Sequence, residues 1–563
     1  MIRLLGAALL PKTTMQARLW GGRAGAALDL LRSFVLSCSI RCAMAVNQRM
    51  QNEVPLVRPV GTGLVMDIGA RNRRQSSGTS ARRAAAPLRA VIALAAAVLV
   101  VAGCTTFIDG RALSMLNDPF RVGGLPATNG PSGIRANAPS PTGTVVNTDN
   151  GAIDKLSLLS VNDIEEYWKG VYSQSLKGTF TPVGKLVSYD SNDRNSPIVC
   201  HSVTYKLVNA FFTSRCNLIA WDRGVFMAVA VKYFGPMSVT GVLAHEFGHA
   251  LQAMAKTVTR KDPTIVREQQ ADCFAGVYLY WVADGKSPRF TLSTADGLDH
   301  VLAGIITTRD PVLDTDTAND DEHGSALDRV SAFQMGFIEG ASACAGINKH
   351  EIEQRRGDLP TTMRADSSGG PEPGEVRINQ DTLSTLMELM GKVFSPKQAP
   401  TLSYQPANCP AVKPSPPASY CPATNTIVVD LPALAAMGKF ADEKEHSLPQ
   451  GDDTALSVVM SRYALAVQHE RGLPMQSPWT ALRTACLTGV AHRKMAEPID
   501  LPSGKQLLLT AGDLDEAVAG LLTNRMVASD ADGISVPAGF TRIAAFRGGV
   551  TGNMDACYTR YPS

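Results

Sequence analysis

Residues 241–252 read GVLAHEFGHALQ and carry the strongest chemical signal in this chain of 563 residues. Pro236, before this stretch, suits the first turn of a helix, and Pro263 lies where a helix must have ended. Apolar residues recur between the two prolines at helical spacing, so the stretch predicts a helix. On that helix His245 and His249 lie one turn apart on the same side, about 6 Å along the axis.

Two histidines in this arrangement can bind one tetrahedral zinc ion, and Glu246 beside them can activate a water. A catalytic zinc site needs a third protein ligand and one open position. We predict Glu268, in the later stretch REQQADCFAGVYLYW, as that ligand, and Asp272 as the acceptor of the free N–H of a ligand histidine. Taken singly, either acid would more often be a solvated carboxylate on a helix face. Beside HEFGH, we favour the metal-site interpretation.

Three stretches in order, HEFGHALQ, QADCFAGVY and HGSALDRVSAFQMGF, resemble the bacterial neutral zinc metallopeptidase family with a gluzincin-like HExxH…ExxxD core. The resemblance covers roughly residues 161–344. It implies an edge strand that holds a peptide substrate in extended form, for which we expect residues 217–222. It also implies a role in oxyanion stabilisation for His323, for which the alternative is an exposed loop histidine. The other implied roles are metal ligation for His245, His249 and Glu268 and general base catalysis for Glu246.

The chemistry implied by these residues is hydrolysis of a peptide bond by a water that one Zn²⁺ ion binds and Glu246 deprotonates. Two alternatives stay open. One is a non-catalytic binding or assembly protein of the cell envelope with a structural zinc, and the other is a zinc amidase that cleaves a cell-wall amide. Glu246 argues against the structural zinc, because such a site with three protein ligands does not need it.

A second signal lies near the N-terminus, where VIALAAAVLVVA at 91–102 follows several arginines and precedes Gly103 and Cys104. A basic region, a short apolar run and small residues before a cysteine predict a bacterial lipoprotein signal, since twelve apolar residues are too few to span a membrane. The alternative is a buried Ala/Val helix. We expect Cys104 to be lipidated and to anchor the protein on the extracytoplasmic face of the cell membrane, with a peptide or protein substrate in the cell envelope.

Composition limits the other partners. The net charge is +3 and aromatic residues make up 6%, with no basic stripe, so we expect no binding to nucleic acid. The chain has 11 cysteines, which favours an oxidising compartment.

The C-terminal third repeats the order of the stretches described above. SVVMSRYALAVQ at 457–468 matches GVLAHEFGHALQ in its apolar pattern, and RTACLTGV, LTAGDLDEAVAGL and TRIAAFRGG follow as further matches. Ser461, Arg462 and Leu465 stand where the first copy has His245, Glu246 and His249, and Ala481 stands where it has Glu268. We therefore predict a degenerate copy without the metal ligands.

Eight cysteines after Cys104 fall in the same register, four in each copy. This favours disulfides within each copy, and metal binding is the alternative, which the lack of CxxC pairs disfavours. The expected pairs are Cys200–Cys216, Cys273–Cys344, Cys409–Cys421 and Cys486–Cys557.

These observations predict an α+β fold that is predominantly helical, with a zincin-like metallopeptidase domain followed by its degenerate copy. The strand-like runs LVSYD, NLIAWD and TIVVDL indicate small sheets. The expected organisation is an over-extended, unstructured start at 1–65, a signal peptide at 66–103, a flexible stalk at 104–151, the peptidase domain at 152–360, a linker at 361–378 and the copy at 379–563.

Overall fold

The computed structural model describes residues 105–108, 111–310, 313–314, 323–357, 359–360, 363–364, 375–440 and 448–562. The chain divides into two compact units, Met1–Met115 and Leu116–Ser563. In the first unit, β1 (Thr105–Ile108) and β2 (Arg111–Ser114) pair as an antiparallel hairpin. The predicted start, the signal peptide and Cys104 lie outside the described residues. Among the helices that are described, none combines the length and the apolar character needed to cross a membrane.

The second unit is mixed α+β and mainly helical, which confirms the predicted fold class at this level. Its longer helices belong to two runs, one in each half of the unit. The helices are α1 (Ala152–Ser175), α2 (Phe226–Phe234), α3 (Pro236–Ala255), α4 (Thr264–Ala283), α5 (Asp296–Ile306), α6 (Ala326–Glu339), α7 (Ala341–Gly346), α8 (Lys349–Arg356), α9 (Gln380–Phe394), α10 (Leu431–Met437), α11 (Asp452–Glu470), α12 (Pro478–Met495), α13 (Asp513–Leu522), α14 (Gly539–Val550) and α15 (Met554–Arg560).

The strands form small sheets beside these helices. The largest has the order β10-β11-β7-β6, in which β11 runs parallel to β7 and antiparallel to β10. A three-stranded sheet of order β15-β17-β16 occupies the second half. The strands are β3 (Arg121–Val122), β4 (Leu125–Pro126), β5 (Gly133–Ile134), β6 (Val145–Val146), β7 (Lys185–Tyr189), β8 (Ile198–Val199), β9 (Ser202–Val203), β10 (Ala210–Thr213), β11 (Leu218–Asp222), β12 (Phe290–Thr291), β13 (Leu313–Asp314), β14 (Met363–Arg364), β15 (Thr401–Ser403), β16 (Ala418–Cys421) and β17 (Thr426–Val429).

Residues 121–146 lie within the predicted flexible stalk, but in the structure they pack on the folded body. Val122 is fully buried in the main core, and β6 joins the four-stranded sheet beside β7. Further along, Thr128 N donates to Thr294 Oγ1 at 2.8 Å. The Pro- and Gly-rich composition that resembles a linker here supplies turns between very short strands, and single apolar residues between those turns reach the core.

Helix α3 begins at Pro236, a residue suited to the first helical position, directly after Gly235 at φ 78°. It ends at Lys256, which adopts the left-handed conformation. Gly248 in its middle lets α3 lie close against α4, since a Cβ on this glycine would be 2.8 Å from the Cα of Ala271. The close approach brings the histidine-bearing face of α3 next to the N-terminal part of α4.

The predicted domains at 152–360 and 379–563 form one compact unit with a shared hydrophobic core. Polar contacts also join them. Asp299 on α5 accepts hydrogen bonds from Arg542 Nη2 at 2.9 Å and from Gly539 N at 2.7 Å, both on α14. The Asp515 carboxylate on α13 accepts from Arg309 Nε at 3.0 Å and from Ala326 N at 2.8 Å. Of the predicted linker 361–378, only β14 and residues 375–378 are described.

Four disulfides join the pairs predicted from the sequence. They indicate an extracytoplasmic protein, because disulfides form and persist in oxidising compartments. The bonds are Cys200–Cys216, Cys273–Cys344, which joins α4 to α7, Cys409–Cys421, and Cys486–Cys557, which joins α12 to α15.

Candidate metal centre

The structure brings His245, His249 and Glu268 together at the interface of α3 and α4. Atoms of the three side chains that could bind a metal lie within 4.8 Å of one another. Nε2 of His245 is 3.1 Å from Oε2 of Glu268, and Nε2 of His249 is 3.5 Å from Oε1 of the same carboxylate. Two imidazole nitrogens and one carboxylate therefore face a common point.

The other ring nitrogen of each histidine has its own partner. Nδ1 of His245 is 2.7 Å from Oδ1 of Asp272, and Arg329 holds both oxygens of that carboxylate through Nε and Nη2 at 2.8 Å each. Nδ1 of His249 is 3.1 Å from Oε1 of Gln252. These contacts orient both rings with Nε2 toward Glu268, as partners behind metal-binding histidines commonly do.

Glu246 lies on the same helix between the two histidines and faces the sheet. Its Oε2 accepts a hydrogen bond from Phe212 N on β10 at 2.8 Å. In the described part of the chain, the hydrogen bond of the Glu246 side chain is made by Oε2 and not by Oε1. One oxygen is therefore fixed by the backbone, and the other is available for chemistry.

The expectation that residues 217–222 form the edge strand is wrong. These residues correspond to β11, which is buried and has β10 on one side and β7 on the other. The edge strands of this sheet are β10 and β6, and β10 is the one next to α3. Residues 218–221 form an uninterrupted apolar run, which is typical of a strand buried on both faces and favours the central position that β11 takes.

His323 lies at the same site, on the segment that precedes α6. Its Nδ1 is 3.1 Å from Oδ1 of Asp310, and its backbone N–H donates to the same oxygen at 2.8 Å. Its Nε2 is 4.0 Å from Oε2 of Glu268. Asp310 therefore fixes the Nδ1 side of the imidazole ring, and the Nε2 side faces the carboxylate of Glu268.

Opposite charges at the site are strongly coupled. Burial would lower the pKa of His245, but the carboxylates of Asp272 and Glu268 outweigh this effect and raise the pKa to about 10. Burial would raise the pKa of Glu268, yet His249 and His245 hold it well below its usual range. Burial raises the pKa of Glu246, although both histidines lower it in part. A cation bound by these side chains would take the place of protons on the histidines.

Two cavities open next to these residues. A cleft of about 630 Å³ runs between β10 and the helices, and its lining includes Phe212, His249 and Arg260. A smaller cavity of about 90 Å³ lies on the other side of His245 and Glu246, with Val301 and Ile305 in its wall. Glu246 and His323 line both cavities.

Four residues of the site were not predicted from the sequence. Gln252 and Arg329 lie inside the quoted stretches, and the spacing of Gln252 from His249 is a usable signal because residues three apart on a helix are neighbours. Phe212 contributes only its backbone, and Asp310 reaches His323 across a loop. No local pattern points to either of these two contacts.

No protein-family model matches the chain, and neither a curated protein nor a solved structure is significantly similar to it.

Proposed function

We propose that this protein is an exported, lipid-anchored, zinc-dependent metallopeptidase. The observation that carries the proposal is that Nε2 of His245 and Nε2 of His249 face the carboxylate of Glu268 while each Nδ1 is bound to another side chain. When the imidazoles are neutral, the lone pair on each Nε2 faces the lone pairs of a carboxylate oxygen. This arrangement costs free energy unless a cation or protons lie between them. Glu246, one residue along the helix from His245, supplies the group that hydrolysis needs in addition.

The donor set fits zinc. Two imidazole nitrogens and one carboxylate are ligands that catalytic zinc sites use, and all three side chains line the larger cleft. His245, His249 and Glu268 would hold the ion. When bound, a zinc ion supplies Lewis acidity, which activates water and stabilises negative charge on a carbonyl oxygen.

Glu246 moves the proton in this mechanism. Phe212 N–H holds Oε2, which leaves Oε1 to accept a proton from the attacking water. The raised pKa of the buried carboxyl group suits this task, because a base with a pKa nearer neutrality can also return the proton. Oε1 then gives the proton to the leaving amine as the peptide bond breaks.

His323 stabilises the negative charge that develops on the carbonyl oxygen. Asp310 orients the ring through Nδ1 and through the backbone N–H, so that Nε2 points into the site. A donor fixed in advance costs little reorganisation at the moment of reaction. Asp310 is therefore a positioning residue for His323.

The substrate is a peptide that lies extended along β10. An edge strand can pair with a chain that adds beside it through backbone groups that are not already bonded, which here leave out the Phe212 N–H, and β10 borders the larger cleft. The smaller cavity beside His245 has room for one side chain next to the scissile bond, and its wall of Val301 and Ile305 favours an apolar one.

The second half is a degenerate copy of the first, and several paired features support this. In the described residues both halves have a long helix, a small sheet, a short helix and then five helices in the same order, α3 to α7 and α11 to α15, and the first half adds α8 at its end. One disulfide in each half spans 71 residues between matching helices. Close glycine contacts recur as well: Gly276 with Phe333 O, Gly489 with Phe546 O, Gly336 with Cys273 O and Gly549 with Cys486 O.

The copy lacks the proposed general base, because an arginine, Arg462, replaces it. Arg462 takes the position of Glu246 on the matching helix α11, and its Nε donates to Ala418 O on β16 at 2.9 Å. In the first half the hydrogen bond between helix and strand runs the other way, from Phe212 N to Glu246. The guanidinium of Arg462 also donates to Ser529 Oγ at 3.0 Å, so the side chain is fully used in packing.

Cleavage of a mixed peptide library tests the proposed function. The wild-type chain should cut peptides at interior or terminal bonds, and Glu246→Gln should lose at least about 100-fold in kcat/KM, because general base catalysis contributes 10²–10⁴-fold. Glu353→Gln on α8 is the matched control, since this glutamate is largely exposed and makes only a surface ion pair with Lys349.

Products separate the proposal from its rivals. Peptides cut by the wild type and by Glu353→Gln, but not by Glu246→Gln, support a peptidase. Cleavage of cell-wall fragments with no cut peptide would identify an amidase and contradict the proposal. Absence of any hydrolysis from a zinc-loaded wild type would favour a binding or assembly role. Mass spectrometry of Cys104 in the exported protein tests the anchor, which an unmodified thiol would contradict.

A further inference from the structure

The second half contains a cluster of carboxylates at the N-terminal ends of α11 and α13, away from the residues that replace the zinc ligands. One oxygen each of Glu375, Asp452 and Glu516 lies within 4.8 Å of the other two. Asp453 and Asp513 are next to them, and all of these side chains except Glu375 are buried. The chain thus concentrates negative charge in a place that water hardly reaches.

Hydrogen bonds from the backbone occupy only one oxygen of several of these carboxylates. Asp452 N donates to Oε2 of Glu375 at 3.0 Å, and Val376 N donates to Oδ2 of Asp452 at 2.7 Å. Asp453 N donates to Oε2 of Glu516 at 2.8 Å. These bonds hold the carboxylates in fixed orientations and leave the second oxygens free.

Two carboxylate oxygens in this region have no hydrogen-bond partner in the described part of the chain. They are Oδ1 of Asp452 and Oδ1 of Asp453, and the two residues are 3% and 1% exposed. One oxygen of the Asp452 carboxylate lies within the cluster, and Oδ1 belongs to that same buried carboxylate. A buried carboxylate oxygen without a partner is costly, so this arrangement needs a compensating positive group.

Gly451 provides the space in which the remaining oxygens approach each other. A Cβ at this position would lie 2.2 Å from Oε1 of Glu516 and 2.6 Å from Oε1 of Glu375. Both glutamates therefore extend their second oxygens over the same glycine, just before the first turn of α11. A residue with a side chain would push them apart.

The cluster needs more positive charge than its neighbour supplies. His492 on α12 contributes through Nε2, 2.9 Å from Oδ2 of Asp453. A cation at the free oxygens would allow all the carboxylates to be ionised together.

We propose that Glu375, Asp452 and Glu516 bind a hard divalent cation of the calcium class. The donors are all carboxylate oxygens, which Ca²⁺ prefers, and they come from separate elements, as its flexible coordination of six to eight oxygens allows. Zinc is disfavoured because no nitrogen or sulfur donor is part of the set. The site joins residue 375 to α11 and α13, so its role is to stabilise the second half. It does not depend on the zinc chemistry proposed above.

Calcium binding to the full chain tests this site. After treatment with a chelator, equilibrium dialysis should find Ca²⁺ bound by the wild type, and 2 mM Ca²⁺ should raise Tm by about 3 °C or more. Mg²⁺ should have a smaller effect, since it demands a tighter octahedral geometry. Asp452→Asn should weaken Ca²⁺ binding at least about tenfold, because it removes one of the charged ligands.

Two controls accompany this experiment. Glu497→Gln, at an exposed position after α12, should keep the calcium response. His249→Ala, which removes a proposed zinc ligand, should keep it too and thereby separates the two sites. Dialysis that finds no Ca²⁺ on the wild type, or a Tm that Ca²⁺ raises equally in Asp452→Asn, would overturn the proposal. The dialysis of the wild type gives a result even if the variant fails to fold.

Discussion

Asp272 links the candidate ligand His245 to the buried cation of Arg329, and this makes it the residue that fixes the site's geometry. We predict that Asp272→Asn weakens zinc binding by about 10–100-fold, since partners behind metal-binding histidines contribute that much. The amide keeps the size of the side chain but removes the charge that faces Arg329 and the imidazole. Competition with a zinc indicator on folded protein measures the dissociation constant.

Asp284→Asn is the control for this change, because Asp284 follows α4 and pairs with the exposed Lys286. An unchanged zinc affinity in Asp272→Asn, with the variant folded, would show that the contact with His245 has no bearing on metal binding. A variant that is folded but less stable can still be assessed by measuring Tm with and without zinc.

His323 allows a second prediction at the scale of single residues. His323→Ala should lower kcat by about 10²–10³-fold, as loss of one oxyanion donor does in other hydrolases, with little change in KM or in zinc content. Steady-state kinetics on a cleaved library peptide measure both constants. His201→Ala, at an exposed turn, is the matched control. A fall in zinc content that parallels the fall in kcat would instead make His323 a ligand.

Sequence reasoning reached the proposed ligands and the other residues singled out in the quoted motifs, but it missed Gln252 and Arg329 inside those motifs as well as two contacts that arrive from elsewhere. The spacing of HEFGH and of Glu268 and Asp272 predicts their common location because a helix fixes which residues face the same way. Asp310 and the backbone of Phe212 reach the site only through the packing of a loop and a strand, which no local pattern encodes.

At the scale of elements, the contact between α3 and α4 sets the distance between the histidines and Glu268. We predict that Gly248→Ala destabilises the protein by about 1–3 kcal/mol, the usual cost of overpacking, and weakens zinc binding. The added Cβ would be 2.8 Å from the Cα and 2.9 Å from the carbonyl oxygen of Ala271, so the helices must separate. Chemical denaturation and zinc competition measure the two effects.

Gly170→Ala in α1 is the matched control. A Cβ there has open space, and alanine is the better helix former, so this variant should be as stable as the wild type or more stable. If Gly248→Ala were equally harmless, the close approach of α3 and α4 would not position the metal ligands.

Element types were easier to predict than element roles. The helical spacing around HEFGH predicts α3 because a helix with a buried face needs that pattern. The segment at 121–146 could not be assigned in the same way, because its strands are two residues long and leave no periodicity to detect. The inner position of β11 depends on its pairing with β7, which is distant in sequence, as well as with the neighbouring β10.

At the scale of the whole molecule, the two halves meet through buried charged contacts, and Asp299 gives this interface a pH dependence. Burial raises the pKa of Asp299, although Arg542 beside it lowers it in part. The folded chain therefore keeps a proton that the unfolded chain releases near pH 3.8. The contribution of Asp299 to stability is present below that pH and is lost as the pH rises through the raised value.

We predict that Asp299→Asn removes this part of the pH dependence, because asparagine has no proton to lose yet can still accept from Gly539 N–H. Denaturation at several pH values from 4 to 8 should show the stability of the variant gaining on that of the wild type as the pH rises. Asp500→Asn, at an exposed position, should follow the wild type. Parallel curves for Asp299→Asn and the wild type would contradict the assignment.

The central claim is that one zinc ion at His245, His249 and Glu268 and the carboxylate of Glu246 together make a peptidase. Titration of the metal-free full chain with zinc, with peptide hydrolysis followed at each addition, tests it most directly. The account predicts that hydrolysis by the wild type rises to a plateau at one equivalent. Glu246→Gln should bind the same equivalent and stay at least about 100-fold less active. Equal hydrolysis by both proteins, or hydrolysis that does not depend on zinc, would contradict it.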